Sequence, residues 1–522
     1  MQKKISILLR TLKYMKPIQI RYQVYYRFRD KRLKFSAPKS TIETSHIFLE
    51  PYIPYYTSYF GNETFEFLNI KHTFQHIDWN YAANGKLWTY NLNYFDFLHQ
   101  PDMTEEVGLA LIHDFCGKSA SHKDGYEPYP ISLRLINWVK FLSKFKIDDA
   151  KINNQLDQDA QRLLKQLEYH ILANHLFENG FGLLFAAYYL QNNKLYKKAK
   201  QIISAELKEQ ILADGAHYEL APMYHQIILF RILDAYQLVT KNSWKNQELE
   251  AELKSAASKM LGWINAIAFE NDDLPMVNDT TEGIAPSREN LNNYATQLGI
   301  SSTDLPLKES GYRKMNTDNL ELFFDVGQIA PAYQPGHSHA DSLQILLYKN
   351  SLPVLVDTGI STYEKNALRQ LERSTSSHNT VTVNNENSSE VWSGFRVGRR
   401  AKVTVHHESE SEIKASHNGY RYKNVTHTRS VSQKKDGFLI TDLLTGKTNN
   451  NEVLGHLHFH PDRTVKIDQE TVFVDGDPCI VFSNNPEIQV LEYNYCSGYN
   501  KLKPAKKITY KLSVEASFQL IN

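Results

Sequence analysis

His337-Ser-His339, two imidazoles separated by one residue with Asp341 two positions further on, is the stretch of this chain best equipped for chemistry. In an extended segment residues two apart share a face, so both rings would point into one site. Imidazoles so placed can exchange protons near neutral pH or bind a metal. Alone, such a pair is more often two solvated histidines on a surface strand. Here Leu355-Val-Asp-Thr-Gly359 and Arg373-Ser-Thr-Ser-Ser-His-Asn-Thr380 follow, adding Asp357 and His378 beside apolar, strand-like runs. These are the right ligand types for zinc.

Two further segments lie upstream, Asn174-His-Leu-Phe-Glu-Asn-Gly-Phe-Gly182 and Asp214-Gly-Ala-His-Tyr-Glu-Leu-Ala-Pro-Met-Tyr-His-Gln226. Asn174 and His175 open an expected helix, with Glu178 three to four positions on and hence on the same face. Pro222 fits the first turn of a second helix, which would set Tyr224 near the positive end of the helix dipole and favour its phenolate. Tyr218 is the rival phenol but lacks that helix-start context, and His225 faces about a quarter-turn away.

Taken together and in this order, the five segments resemble the heparinase II/III family of polysaccharide lyases, over most of the chain from about Trp88 onward. The resemblance implies an N-terminal incomplete α/α toroid followed by a C-terminal antiparallel β-sandwich. It further implies β-elimination on a uronic-acid-containing acidic polysaccharide. That reaction needs a group to neutralise the uronate carboxylate, a base for the C5 proton and an acid for the leaving oxygen. By resemblance Asn174 and His175 address the carboxylate with support from Glu178, Tyr224 transfers the proton, and His337 is the second acid/base or carboxylate-binding group. His339, Asp357 and His378 would match the family's structural Zn2+ site, although spacing alone cannot say which histidine takes the metal. Tyr94, Arg134, Arg373, Trp392 and Arg396 are expected along the groove, since arginines matched to carboxylate or sulfate and aromatic platforms suit an acidic glycan. The alternatives are a metal-dependent hydrolase, whose ligand sets also use His-x-His with distant Asp and His, and a non-catalytic glycan-binding protein of exopolysaccharide or capsule metabolism.

The elements that must position these residues are legible in the periodicity. From about Glu105 to Ala268 apolar residues recur at helical spacing, as in Leu156, Ala160, Leu163, Leu164, Leu167 and Ile171. After about Leu305 the pattern turns to short β-rich runs: Ser342 to Lys349, Leu352 to Val356, Asn379 to Val383, Ala401 to His406 and Phe438 to Leu444. The expected division is a basic arm over 1–40, the toroid over 41–308 and the β-sandwich over 309–522. At 522 residues, two large domains are the natural expectation. Thirty-one tyrosines offer rings for sugar stacking and phenols for sugar hydroxyls. The three cysteines, Cys116, Cys479 and Cys496, match no metal or redox spacing and exclude a disulfide scaffold.

Net charge is +1, yet residues 1–40 carry twelve Lys or Arg and a single acid, Asp30. The opening begins like a signal peptide, but its apolar run breaks at Arg10 with no small-residue cleavage site after it. The expectation is a cytoplasmic or peripheral-membrane protein, with the periplasm as alternative. Its partner would be an acidic polysaccharide rather than nucleic acid. The arm would be a helix packed on the body or a peripheral contact with an anionic membrane.

Overall fold

The computed structural model describes residues 2–29, 42–245, 247–448 and 451–521. Of the basic arm, residues 1 and 30–40 lie outside this set. The described part forms two helices, Gln2–Leu12 and Pro17–Phe28, the second opening on a proline.

Among the described residues, nine α-helices from Lys86–Tyr94 to Arg288–Gln297 build the helical half, the incomplete α/α toroid. Polar side chains start several of them: Thr104, Asp149, Asn192 and Ser287 each accept a hydrogen bond from a first-turn amide. Ala173–Tyr189 is buried almost along its whole length, between Pro128–Phe145 and Asn193–Gln210. Gly180 and Gly182 lie inside this helix. A Cβ on Gly182 would meet the Ser132 Cα at 2.8 Å, and one on Gly180 would meet the Ile202 side chain at 2.9 Å. Both glycines therefore let neighbouring helices approach closely.

The C-terminal half is antiparallel β: an eight-stranded sheet and two four-stranded sheets share one apolar core. The strands expected from sequence form as Ile345–Lys349, Leu352–Leu355, Val381–Val383, Val403–Glu408 and Gly437–Gly446. The sheet of Tyr312–Asn316, Leu320–Asp325, Ile345–Lys349 and Leu352–Leu355 joins the two halves. Alternation along its strands explains how. Leu320, Leu322, Phe324, Ile345 and Leu347 enter the β core, whereas Phe323, Leu346 and Tyr348 enter the helical core. A strand buried on both faces reads as a nearly continuous apolar run, and the two central strands, Leu320–Asp325 and Ile345–Lys349, come close to this. Asp214 pins the connecting segment, its Oδ2 accepting from the amides of Lys308 (3.0 Å) and Ser310 (2.8 Å) and from the Ser310 hydroxyl (2.7 Å).

Candidate active site

A cleft of about 1540 Å3 runs between the two halves. Ten tyrosines among the described residues line it, including Tyr94, Tyr129, Tyr224, Tyr363 and Tyr499. The helical half contributes Asn174 and His175 from the first turn of Ala173–Tyr189, and Tyr224 from the first turn of Pro222–Lys241. The β half contributes His337 from an irregular loop, with Tyr363 beside it.

These side chains form one connected set. Asn174 Nδ2 donates to both carboxylate oxygens of Glu219 at 3.0 Å, and its backbone amide donates to the same group at 2.9 Å. Glu219 Oε2 is 3.4 Å from His337 Nε2. His337 packs against Tyr224, ring centroids 3.9 Å apart and the planes tilted by 33°. The Tyr224 hydroxyl lies 3.1 Å from that of Tyr363, which in turn is 3.5 Å from His337 Nδ1. On the other wall His175 packs on Tyr129, while its Nδ1 is 2.9 Å from Glu168 Oε1.

Behind His337 lies Asp279, fully buried. It binds His337 Nδ1 at 2.8 Å, His339 Nε2 at 2.9 Å and both terminal nitrogens of Arg369 at 2.5 and 2.6 Å. Burial by itself would raise this carboxyl, but Arg369 and the two imidazole contacts hold it well below the usual carboxylate range. The contact with Asp279 orients the His337 ring through Nδ1 and turns Nε2 toward Glu219 at the cleft.

Electrostatics assign further protonation states. Burial opposes charge on His175, yet Glu168, joined by Glu219 and Glu178, outweighs it and the imidazole is raised above its ordinary value. Burial pushes the Tyr224 phenol well above its ordinary value, so the helix dipole does not favour a resting phenolate there. Desolvation exceeds the small dipole contribution of one helix turn.

Backbone strain gathers at the same residues. Leu172 (φ 64°), Ala173 (φ 56°), Leu220 (φ 55°) and Asn278 (φ 54°) adopt the left-handed region immediately beside Asn174, Glu219 and Asp279. Such conformations cost of order 1–3 kcal/mol and concentrate where geometry serves a site.

Tyr94 lines the cleft, whereas other residues expected along it do not. Glu178 is buried beneath the wall and receives Arg231 Nε at 3.2 Å on both oxygens. Arg134 is spent on Asp159 at 2.7 and 2.9 Å, and Arg373 on the carbonyls of Ser338 and Gly394. Trp392 sits under the first helix, donating to Thr11 Oγ1, with Arg396 against its ring. A sequence shows that an arginine is present, not that an internal partner has claimed it. Tyr218 also lies off the cleft, bonded to the Tyr333 hydroxyl. Conversely, Tyr363, Arg369 and Glu168 are site residues that the sequence reading does not single out, whereas Glu219 lies inside the segment Asp214 to Gln226.

His337 and His339 do not share a face, because their segment is a loop and period-two alternation does not apply. Only His337 reaches the cleft. His339 is buried beside His378, ring centroids 5.3 Å apart. His339 Nδ1 and His378 Nε2 are both buried without a hydrogen-bond partner. Asp357 supports His378, Oδ2 to Nδ1 at 2.7 Å, and accepts from the Gly359 amide through Oδ1. Two orphaned imidazole nitrogens and a nearby carboxylate fit zinc in donor type. Among the described residues, no three such side chains already stand at ion-holding distance.

The heparinase II/III N-terminus model matches residues 131–302 and the heparinase II/III-like C-terminal model matches residues 301–520. The chain is 22% identical over 324 residues to a heparin-sulfate lyase of Pedobacter heparinus, covering 55% of this chain and 46% of that one. A heparin-sulfate lyase of Bacteroides stercoris is 24% identical over 311 residues, covering 53% and 44%. The chain thus spans about half the length of the curated relatives it matches. In fold it is similar to a crystal structure of heparinase III, with TM-score 0.68, 16% identity, and 85% of this chain and 79% of that one covered. It is also similar in fold to the heparan sulfate lyase of Pedobacter heparinus, with TM-score 0.56, 16% identity and coverage of 88% and 81%. With the N- and C-terminal domain models matched in order across residues 131–520, this chain belongs to the heparinase II/III family.

Proposed function

We propose that this chain is a polysaccharide lyase that cleaves a uronic-acid-containing acidic glycan by β-elimination. The observation that carries the reading is the convergence of Asn174, His175, Tyr224 and His337, drawn from two domains, on one cleft. His175, raised by Glu168, and the Asn174 amide are suited to neutralise the uronate carboxylate and stabilise the enolate that forms when C5 loses its proton. Tyr224, packed against His337, is the proposed proton-transfer residue, and His337 Nε2 the partner acid or base. Turnover then requires substrate binding to release Asn174 from Glu219. The curated relatives act, by their names, on heparin sulfate.

Charge among the described cleft residues favours a sparsely sulfated polymer. Among them the cations are Arg29, Lys86, Arg231, Lys365 and Lys501, against seven Asp or Glu side chains. Lys86 is paired to Glu127 and Arg231 to Glu178. Recognition would rest on phenols and amides more than on fixed positive charge. For the buried pair of imidazoles we propose a structural zinc held by His339, His378 and Asp357, which would fasten the His337 loop to the β core. The decisive experiment screens unsulfated and sulfated uronate polysaccharides for ultraviolet absorbance. Elimination leaves a conjugated double bond, and new reducing ends without that absorbance would instead signal a hydrolase.

A further inference from the structure

The two N-terminal helices are held to the body by one face and present a different chemistry on the other. Arg10 forms a two-point contact with Glu390 (2.9 and 2.7 Å) in the β half. Lys16 bridges Glu209 of the helical half and the ring of Tyr333. The fully buried Gln19 donates to the Ile171 carbonyl at 3.1 Å, Tyr26 donates to the Leu167 carbonyl, and Arg29 to the Lys165 carbonyl at 2.8 Å. The helices therefore span both domains in a fixed orientation.

Their outer face is apolar. Eight of the twenty-two large apolar side chains that are exposed among the described residues fall here: Ile5, Leu8, Leu9, Ile18, Ile20, Val24, Tyr25 and Phe28. Leu9 is 62% and Phe28 80% exposed. Ile18, Tyr25 and Phe28 recur at helical spacing with Arg21 between them, while Lys13 and Arg27 are also exposed. No Asp or Glu occurs before Asp30. A solvated helix would not carry this many bare apolar groups, and a protein interface would not need only positive charge around them.

We propose that this face docks on an anionic lipid bilayer, with the apolar side chains entering the headgroup boundary and the cations meeting lipid phosphates. Tyr26 and Arg29, at the end of the same helix, line the cleft. Docking would therefore hold the cleft beside the membrane, facing glycan attached to or emerging from it. The docking itself is independent of the lyase reading, whereas the access to membrane-proximal glycan rests on it.

The test is co-sedimentation of the full chain with phosphatidylcholine vesicles, with and without phosphatidylglycerol, at low and high salt. Binding should require the anionic lipid and weaken steeply with salt, because exposed charges are screened within about 8 Å at physiological ionic strength. Arg21→Ser should lower partitioning roughly fivefold, the effect expected of one cation at the surface. Val24→Glu combined with Phe28→Glu should lower it at least about tenfold, with the melting temperature unchanged because both positions are exposed. A Phe28→Trp variant should shift its emission to the blue on anionic vesicles alone. Equal sedimentation with and without vesicles would overturn the proposal. So would a concentration-dependent dimer that the Glu variants dissociate, since the face would then bind a second copy. Turnover on soluble polymer should be unaffected by these variants, so a failed docking result leaves the catalytic reading intact.

Discussion

Oδ2 of Asp279 lies 2.8 Å from Nδ1 of His337, and this contact crosses from the helical half to the β half. Asp279 precedes Thr280 in a loop after the helix Glu250–Ile267, while His337 belongs to the loop between Leu320–Asp325 and Ile345–Lys349. One buried carboxylate thus sets the orientation of the cleft imidazole and fastens the domains through Arg369. The catalytic geometry and the domain junction are coupled at this group.

Asp279→Asn should damage both. Removing one partner of a buried ion pair costs about 3–5 kcal/mol, because Arg369 is left charged and unpaired. A carboxyl held below its ordinary value contributes stability that is complete above the unfolded value of about 4 and is lost as pH falls through the folded value. The deficit of the variant should hence be constant from about pH 5 upward and shrink only in acid. Denaturant unfolding across pH checks this, and a variant with unchanged stability and turnover would remove Asp279 from the argument.

Tyr224→Phe should lower kcat by roughly 10² to 10⁴, the contribution of general acid/base catalysis, with folding preserved because only a hydroxyl is lost. Tyr218→Phe should stay near wild type, since its hydroxyl faces Tyr333 outside the cleft. Steady-state kinetics with the reverse pattern would transfer the role to Tyr218.

Because His337 and His339 differ in what they face, their alanine variants should separate. His337→Ala should lose activity with little change in melting temperature. His339→Ala should lower the melting temperature and bind less zinc, as measured by elemental analysis of protein refolded with the metal. A full complement of zinc in His339→Ala would refute the assignment of that ligand.

The raised His175 gives a pH signature. Its imidazolium, present to higher pH than for a free histidine, is lost as pH rises through the elevated value, and substrate binding should weaken there. Glu168→Gln removes the main group that raises it, so the alkaline limb of kcat/KM should move to lower pH. A pH profile identical to wild type would mean that His175 charge does not govern binding.

The sequence by itself determined the two-part architecture and which segments bear the chemistry. Helical spacing over Glu105 to Ala268 and β-rich runs after Leu305 are local properties, set by which side of each element must be apolar. The cleft residues Asn174, His175, Tyr224 and His337 were legible because they sit in motifs of resemblance. Tertiary structure alone decided how each polar group is used. Arg134, Arg373 and Glu178 had the right chemistry for an acidic glycan but found partners inside the protein, and burying a charge without one is too costly for any other outcome. His337 and His339 parted because their loop follows the contacts of Asp279 rather than the alternation of a strand. Tyr224 met its hydroxyl partner in Tyr363, 139 positions away, and its resting protonation followed from burial instead of from its place at a helix start. Periodicity reports a residue's neighbours along the chain, while protonation, pairing and access depend on neighbours brought from other domains.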